Sequence, residues 1–430
     1  MSSPNRQLVL NVNVLDAGIA PRAWTIDGTA GAFLDPAHFV RVAQTAERGT
    51  LDGFFLADSP GFWENPRVKP PRALEPTAIL ATVAANTRHI GLIGTASTTF
   101  NDPYELALRF LSLDRASGGR VAWNIVTTYS PTVATNFGIR ELPDRDTRYA
   151  RAAEFVEVVT GLWESSISGV PFEFRGNHLN VTGSLDVAPS AQGYPALIQA
   201  GGSPAGRELA GRTAHGVFTA ELTLAEGIRH YRDVKEAAVR ASRNPDDVKI
   251  LPGLITVLGS TEQEAIERHA RLRANTPEDF GADRLTATLG VDVRALDWDV
   301  PIADEILAVP ADAASYQGSL GFRESVVGLV RERGLTVRQL LRALNGSGGH
   351  RAVIGTPEQI ADTIEEWFLA GAADGFNLMP DAFPSGLDDF VDHVVPILRR
   401  RGLFRHEYAD STLRERLGVE LPERAPVPAA

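Results

Sequence analysis

Ser117–Gly138 reads SGGRVAWNIVTTYSPTVATNFG, and its internal order decides how the 430-residue chain is organised. Gly118 and Gly119 follow a helical pattern, and glycine takes the left-handed conformation of a helix C-cap at little cost. From Arg120 to Thr127 the residues alternate, with Val121, Trp123 and Ile125 on one side and Ala122, Asn124 and Val126 on the other. This is a strand with one bulky face and one small face that carries a single amide. It gives way to Thr127, Thr128, Tyr129, Ser130 and Pro131, a burst of hydroxyls at the C-terminal end, where α/β folds place their ligands.

The same unit recurs on both sides of this stretch. Upstream, residues 7–15 (QLVLNVNVL), 52–58 (DGFFLAD) and 89–97 (HIGLIGTAS) read as strands, with helices over about 36–48, 75–86 and 103–116. Asp35 and Pro36 suit an N-cap and first helical position. Downstream, a helix is expected over about 147–163, then strands at 196–201, 216–220, 248–258 and 375–379, with helices at 204–214, 223–241 and 387–400 among them. Thr261 with Glu264, and Thr356 with Gln359, have the spacing of capping boxes. Eight strands each followed by a helix give the order of a (β/α)8 TIM barrel, although counting alone also permits an open doubly wound sheet. Residues 60–72, 165–193 and 276–350 read as insertions into one domain spanning 1–430; the second holds a small hairpin and the third one or two helices. The tail over about 402–430 is expected at the surface or frayed.

Composition excludes several classes. A formal charge of -12 and a pI near 5.3 argue against a nucleic-acid or acidic-membrane partner. The absence of cysteine removes disulfides, thiolate nucleophiles and cysteine metal sites. No apolar run approaches a membrane span and the N-terminus lacks a secretory pattern, so a soluble cytoplasmic protein is expected. None of the nine histidines forms an HExxH or HxH pair, so no metal site is expected. No GxGxxG fingerprint follows a strand, so a nicotinamide module is not evident.

The polar strand ends are Asp58, Ser97, Thr98, Thr127, Thr128, Ser203 and Glu221. A single aspartate after a strand is more often a turn residue; the coincidence across strands is what points to a site. QAGGSPAGRELAG, Gln199–Gly211, is a strand, a glycine-rich turn and a helix start. Its amides and the Ser203 hydroxyl suit a phosphate, and equally suit an ordinary turn with Ser203 as N-cap. NGSGGHR, Asn345–Arg351, lacks a P-loop ending and reads as a mobile loop carrying His350.

These segments resemble the flavin-dependent monooxygenases of the bacterial luciferase superfamily, in the branch of nitrilotriacetate, dibenzothiophene sulfone and long-chain alkane monooxygenases. SGGRVAWNIVTTYSPTVATNFG looks like that branch's SGGR-x-GWN-x-VTS stretch ending in NFG. FFLAD, TASTTFNDPYELA, RYARAAEF, LIQAGGSPAGRELA and VIGTPEQIAD match further segments in the same order over nearly the whole chain. The resemblance implies a luciferase-like barrel binding reduced FMN at its C-terminal mouth. Asp58 and Ser97 or Thr98 would approach the flavin ring and ribityl chain, Thr128 and Tyr149 would contact the cofactor, and Ser203 with the backbone near Ala205 and Gly206 would hold the phosphate. Asn124 and His350 are the candidate catalytic residues, and Phe62 and Trp63 candidate apolar walls for substrate, although loop anchoring explains that pair as well.

The chain departs from the family twice. Ala122 replaces the glycine of GWN, and Arg145 stands where the branch commonly carries histidine in HDxRY. A guanidinium is permanently charged and cannot act as a neutral acid or base, so Arg145 would pair with the phosphate, stabilise a flavin anion, or serve the loop differently. The implied function is the oxygenase component of a two-component system. A separate NAD(P)H:flavin reductase would supply reduced FMN, a small amine, sulfur compound or hydrocarbon would be oxygenated with O2, and the protein would be a homodimer or homotetramer. The alternatives are a deazaflavin-dependent oxidoreductase of the same superfamily and a non-catalytic flavin-binding protein.

Overall fold

The computed structural model describes residues 6–26, 31, 34–58, 74–128, 130–274, 276–308, 316, 320–344 and 349–422. Eleven strands occur among them: β1 (Val9–Val14), β2 (Gly53–Leu56), β3 (Gly91–Ser97), β4 (Val121–Val126), β5 (Phe172–Arg175), β6 (Asn180–Gly183), β7 (Ala196–Gln199), β8 (Gly216–Thr219), β9 (Lys249–Leu258), β10 (Arg351–Gly355) and β11 (Gly375–Pro380). Eight of them close a parallel barrel in the order β1, β2, β3, β4, β7, β8, β9, β11 and back to β1. Closure rules out the open doubly wound sheet. It is the (β/α)8 barrel expected from the strand count.

Alternation along β4 has the predicted consequence. Val121, Trp123 and Ile125 face the helical layer, where Trp123 packs 5.9 Å from the Phe155 ring and 6.3 Å from Trp163 and donates its indole N–H to the Ala96 carbonyl at 3.0 Å. Ala122 faces the interior, in an apolar layer with Val9, Phe55, Ile93, Ala196, Ile198 and Leu251. Gly118 and Gly119, at φ 76° and 87°, both take the left-handed conformation that lets the preceding helix end and the strand begin.

Helix starts follow the caps in the sequence. The Asp35 carboxylate accepts from the Ala37 N–H at 2.9 Å at the start of the helix Pro36–Arg48, and Thr356 with Gln359 forms a complete capping box before Pro357–Leu369. At Thr261 only half the box forms, because Glu264 turns to the Ser260 N–H at 2.9 Å. The antiparallel pair β5–β6 is the expected small hairpin.

Three regions differ from expectation. Residues 276–350 contain the helices Ala282–Leu289, Leu320–Arg333 and Val337–Leu344 besides the short turn Asp304–Leu307, and these enclose an apolar core of their own that includes Leu285, Leu289, Val326, Val330 and Leu340. The end of the glycine-rich segment is not a loose loop: it leads into β10, which pairs with Leu254–Leu258 on the β9 edge that β8 has left free. Most consequential is the tail. Residues up to 422 do not fray; Leu413, Leu417 and Val419 join the interior apolar layer and seal the N-terminal end of the barrel, with the Leu413 N–H bonded to the Gly119 carbonyl at 3.0 Å. Among the described residues, no helix is long and apolar enough to cross a membrane.

Candidate active site

At the C-terminal mouth the strand ends bring the expected hydroxyls together. Thr128 donates from its hydroxyl to Ser97 Oγ at 2.8 Å, and Ser97 Oγ accepts from the Thr99 N–H at 3.1 Å. The Thr98 N–H and hydroxyl both reach the Val126 carbonyl, at 3.0 and 3.3 Å, locking β3 to β4 at this level. Arg151, from the helix Arg145–Ser168, donates to the Thr98 carbonyl and roofs the cluster from outside. Asp58 follows β2, the strand beside β3, and is half-buried.

One level deeper, inward residues of β1, β3 and β4 form a polar layer. Asn124 donates Nδ2 to Thr95 Oγ1 at 2.8 Å, while its Oδ1 is buried without a hydrogen-bond partner. Asn13 Oδ1 is in the same condition. Below them Asn11 donates Nδ2 to Asn377 Oδ1 at 2.9 Å, and Asn377 donates in turn to the Leu251 carbonyl at 3.3 Å. Two unsatisfied amide oxygens in one barrel mouth are costly for the empty fold, on the order of 1–3 kcal/mol each. Asn13 escaped the sequence reading, although its place two residues after Asn11 in an alternating strand put it on the inward face.

Across the mouth, the turn after β7 is built for close approach. A Cβ on Gly201 would lie 3.0 Å from the Tyr149 hydroxyl and 3.0 Å from Gly206 Cα, and one on Gly202 would lie 3.1 Å from Gly321 Cα. Ser203 caps the helix Pro204–Thr213 by accepting from the Gly206 N–H at 3.1 Å. The cap reading is therefore correct: Ser203 takes up the Gly206 N–H of the first turn, and the Tyr149 hydroxyl lies beside the same turn at Gly201. Tyr149 and Gly201 are 52 positions apart in sequence and are joined only by the fold.

His350 is not on a loop surface. It is buried, stacked flat on Phe218 with centroids 5.1 Å apart and edge-on to Phe322 at 5.9 Å. Burial, with Arg284 adding to it, pushes its pKa down to about 3 against a raising contribution from the Thr219 backbone, so the ring is neutral throughout the physiological range. Arg145 donates to the Tyr316 carbonyl at 2.7 Å with its guanidinium over the Tyr316 ring, tying the helix start to residues of the large insertion. Phe62 and Trp63 lie outside the described residues.

Beside the turn, between the β8 end and the insertion helix Leu320–Arg333, opens a cavity of about 450 Å³ whose walls include Gly202, Phe218, Glu221, Phe322 and His350. Comparison with known proteins gives the mouth its context. The model of the luciferase-like monooxygenases matches residues 19–374. The chain belongs to that family. It is 40% identical over 421 residues to nitrilotriacetate monooxygenase component A of Aminobacter aminovorans, covering 91% of each chain. It superposes on EDTA monooxygenase from Chelativorans sp. BNC1 with a TM-score of 0.79 at 34% identity, covering 96% of this chain and 99% of that one. A riboflavin lyase solved with modified FMN and riboflavin gives a TM-score of 0.83 at 29% identity over 96% of both chains. These findings bear out the expected luciferase-like flavin-dependent monooxygenase. His230 and Arg323, which also line the cavity, escaped the sequence reading: each is a polar residue on a helix, a pattern that signals solvent rather than a buried wall.

Proposed function

We propose that this luciferase-like monooxygenase is the oxygenase component of a two-component system that uses reduced FMN and O2 to oxygenate a small organic substrate. When bound, reduced FMN supplies the two electrons with which one atom of O2 enters the substrate and the other leaves as water. Ser203, the Ala205 and Gly206 N–H groups and Tyr149 would hold the phosphate. Asp58, Ser97, Thr98 and Thr128 would bind the ring and ribityl chain. Asn124 offers Oδ1 to a donor of the bound molecule from the inner layer of the mouth, and neutral His350 with Phe218 forms an apolar wall that keeps water from the reacting end. The observation that carries this reading is the pair of unsatisfied buried amide oxygens at the same mouth as the Gly201–Gly206 turn. The relative named component A supports a separate reductase as the source of reduced flavin.

Fluorescence titration with oxidised FMN, riboflavin and a deazaflavin separates the alternatives. FMN binding is expected in preference to both others. Ser203→Ala should weaken FMN about tenfold and leave riboflavin unchanged, since riboflavin lacks the phosphate; the lost cap costs about 1 kcal/mol of stability. Equal weakening of both ligands would remove Ser203 from the phosphate seat. Oxygen uptake coupled to substrate loss, with a flavin reductase present, distinguishes an oxygenase from a flavin-storing protein.

A further inference from the structure

The insertion meets the barrel mouth along one helix face, and that face carries almost no side chain. On the helix Leu320–Arg333 the residues Gly321, Ser325 and Gly328 are spaced i, i+4 and i+7, which puts them on one side. Each meets a different part of the barrel's C-terminal end. A Cβ on Gly321 would lie 2.9 Å from Gly202 Cα and 3.2 Å from the Gly202 carbonyl carbon, so two backbones touch where any side chain would intrude. Ser325 donates its hydroxyl to the Ala220 carbonyl at 2.8 Å, one residue past the end of β8. A Cβ on Gly328 would collide with Glu226 Oε1, and Glu226 is held by its other oxygen, which accepts from the Leu222 and Thr223 N–H groups at 3.2 Å. On the opposite side of the helix, Val326 and Val330 pack into the insertion's own core.

The turn under Gly321 has no room to retreat. A Cβ on Gly206 would lie 2.7 Å from the Gly201 carbonyl oxygen, so the turn is already closed on its inner side. Arg207 holds the Gly202 carbonyl, donating Nη1 at 2.7 Å, and the same guanidinium stands 3.9 Å from Glu324 of the insertion helix. One side chain thus ties the turn to the helix. A methyl group added at Gly321 displaces either the helix or the turn, because a close-packed backbone contact does not absorb it.

We propose that Gly321 and Ser325 are positioning residues of this monooxygenase: through them the insertion helix fixes the Gly201–Ser203 turn in the conformation that distinguishes FMN from riboflavin. This rests on the reading above of that turn as the phosphate seat, and it adds what holds the seat in shape. Asp58, Ser97, Thr98 and Thr128, which would meet the ring and ribityl chain, follow or end β2, β3 and β4 instead. A shift of the turn therefore changes the surroundings of the phosphate and leaves those of the ring in place.

The test is fluorescence titration of the full chain with oxidised FMN and with riboflavin, read as the ratio of the two affinities. Gly321→Ala should lower the FMN-to-riboflavin ratio about tenfold while riboflavin affinity stays within about threefold of the wild type. Ser325→Ala adds no bulk and loses one hydrogen bond, so it should shift the ratio the same way by about threefold, and it keeps the test decisive where Gly321→Ala folds poorly. Glu332→Ala, exposed on the same helix, should leave both affinities unchanged. Equal weakening of the two flavins, or an unchanged ratio in both variants, would make the helix a merely structural part and overturn the inference. A wild-type chain that binds FMN and riboflavin equally would sink the phosphate reading itself, a failure visible before any variant is made.

Discussion

The floor and the mouth of this barrel are made from the two ends of the same strands, and their polar side chains are set to different tasks. At the floor Arg120 uses all its guanidinium N–H groups on acceptors: the Ser117, Ala84, Thr87 and Ile90 carbonyls and the Thr87 hydroxyl, at 2.7–3.2 Å. Asp114, nearby, accepts from the Val121 N–H, Ser190 and Gln192. At the mouth Asn13 and Asn124 hold amide oxygens that accept no hydrogen bond among the described residues. The difference teaches where each function of the fold lives. Satisfied polar groups such as Arg120 and Asp114, with the apolar plug of Leu413, Leu417 and Val419, hold the strands in place at the floor, and the strand-end hydroxyls gather at the mouth.

If that division holds, damage to the floor should act on stability and damage to the mouth on binding. The largest effect is expected from Leu413→Asp, which places an unpaired charge in the interior apolar layer beside Gly91, whose Cβ position lies 2.7 Å from Leu413 Cδ1. A loss of about 4 kcal/mol is expected in denaturant unfolding, a large part of the roughly 5–15 kcal/mol of an ordinary domain. A variant that unfolds at the wild-type midpoint would mean that the C-terminal segment is not a structural plug.

Asn124→Leu should do the reverse. The substitution keeps the volume and removes an oxygen that is costly to bury, while Thr95 loses a donor, so unfolding stability should stay within about 1 kcal/mol of the wild type. FMN affinity should fall about tenfold. Loss of stability with unchanged flavin binding would make Asn124 a core residue and blur the contrast between the two ends.

Asp114 sharpens the comparison through pH. Burial pushes its carboxyl up to about 6, against the pull of Ser190, the Val121 N–H and Gln192. The folded protein therefore holds this proton more tightly than the unfolded chain, whose aspartate titrates near 3.8. The stability gained is fully present below about pH 4 and is lost as pH rises through about 6. The stability difference between the wild type and Asp114→Asn should move in favour of the variant across that window and be flat on either side, with no matching change in flavin affinity. A difference that is flat across the window would show that Asp114 does not titrate there.

The barrel was legible in the sequence because its strands and helices carry different periods, and because residues such as Asp35 and Thr356 mark helix starts by side-chain chemistry that needs no tertiary context. The hydroxyls at the mouth were legible for a related reason: Ser97, Thr98 and Thr128 sit at strand ends, and a parallel barrel brings strand ends together. What the sequence concealed depends on packing at a distance. STLRERLGVEL looks like a charged surface tail until the barrel floor is present to receive Leu413 and Leu417 while Arg414 and Arg416 reach carbonyls of other segments. His230 and Arg323 read as solvent-facing because the insertion that buries them has no period of its own in the sequence. His350 read as a loop residue because it directly follows the glycine-rich run NGSGG, which masks the start of β10.

The smallest effect concerns Ala122, where the family resemblance leads one to expect glycine. The residue lies in the floor layer between Ile93 and Ala196, its partners in register on β3 and β7, and it is fully buried. Ala122→Gly restores the family residue, yet it removes a buried methyl and gives the unfolded chain more freedom to lose. Each change costs on the order of 0.5–1 kcal/mol, so a total near 1–2 kcal/mol of stability is expected in thermal or denaturant unfolding. Asn124, on the same face two residues later, stands one layer above, so FMN affinity should not move. If this reversion altered flavin binding, the floor and the mouth would not be independent, and the alanine would have to be read as part of the site rather than as a floor residue that this chain has filled with one more methyl group.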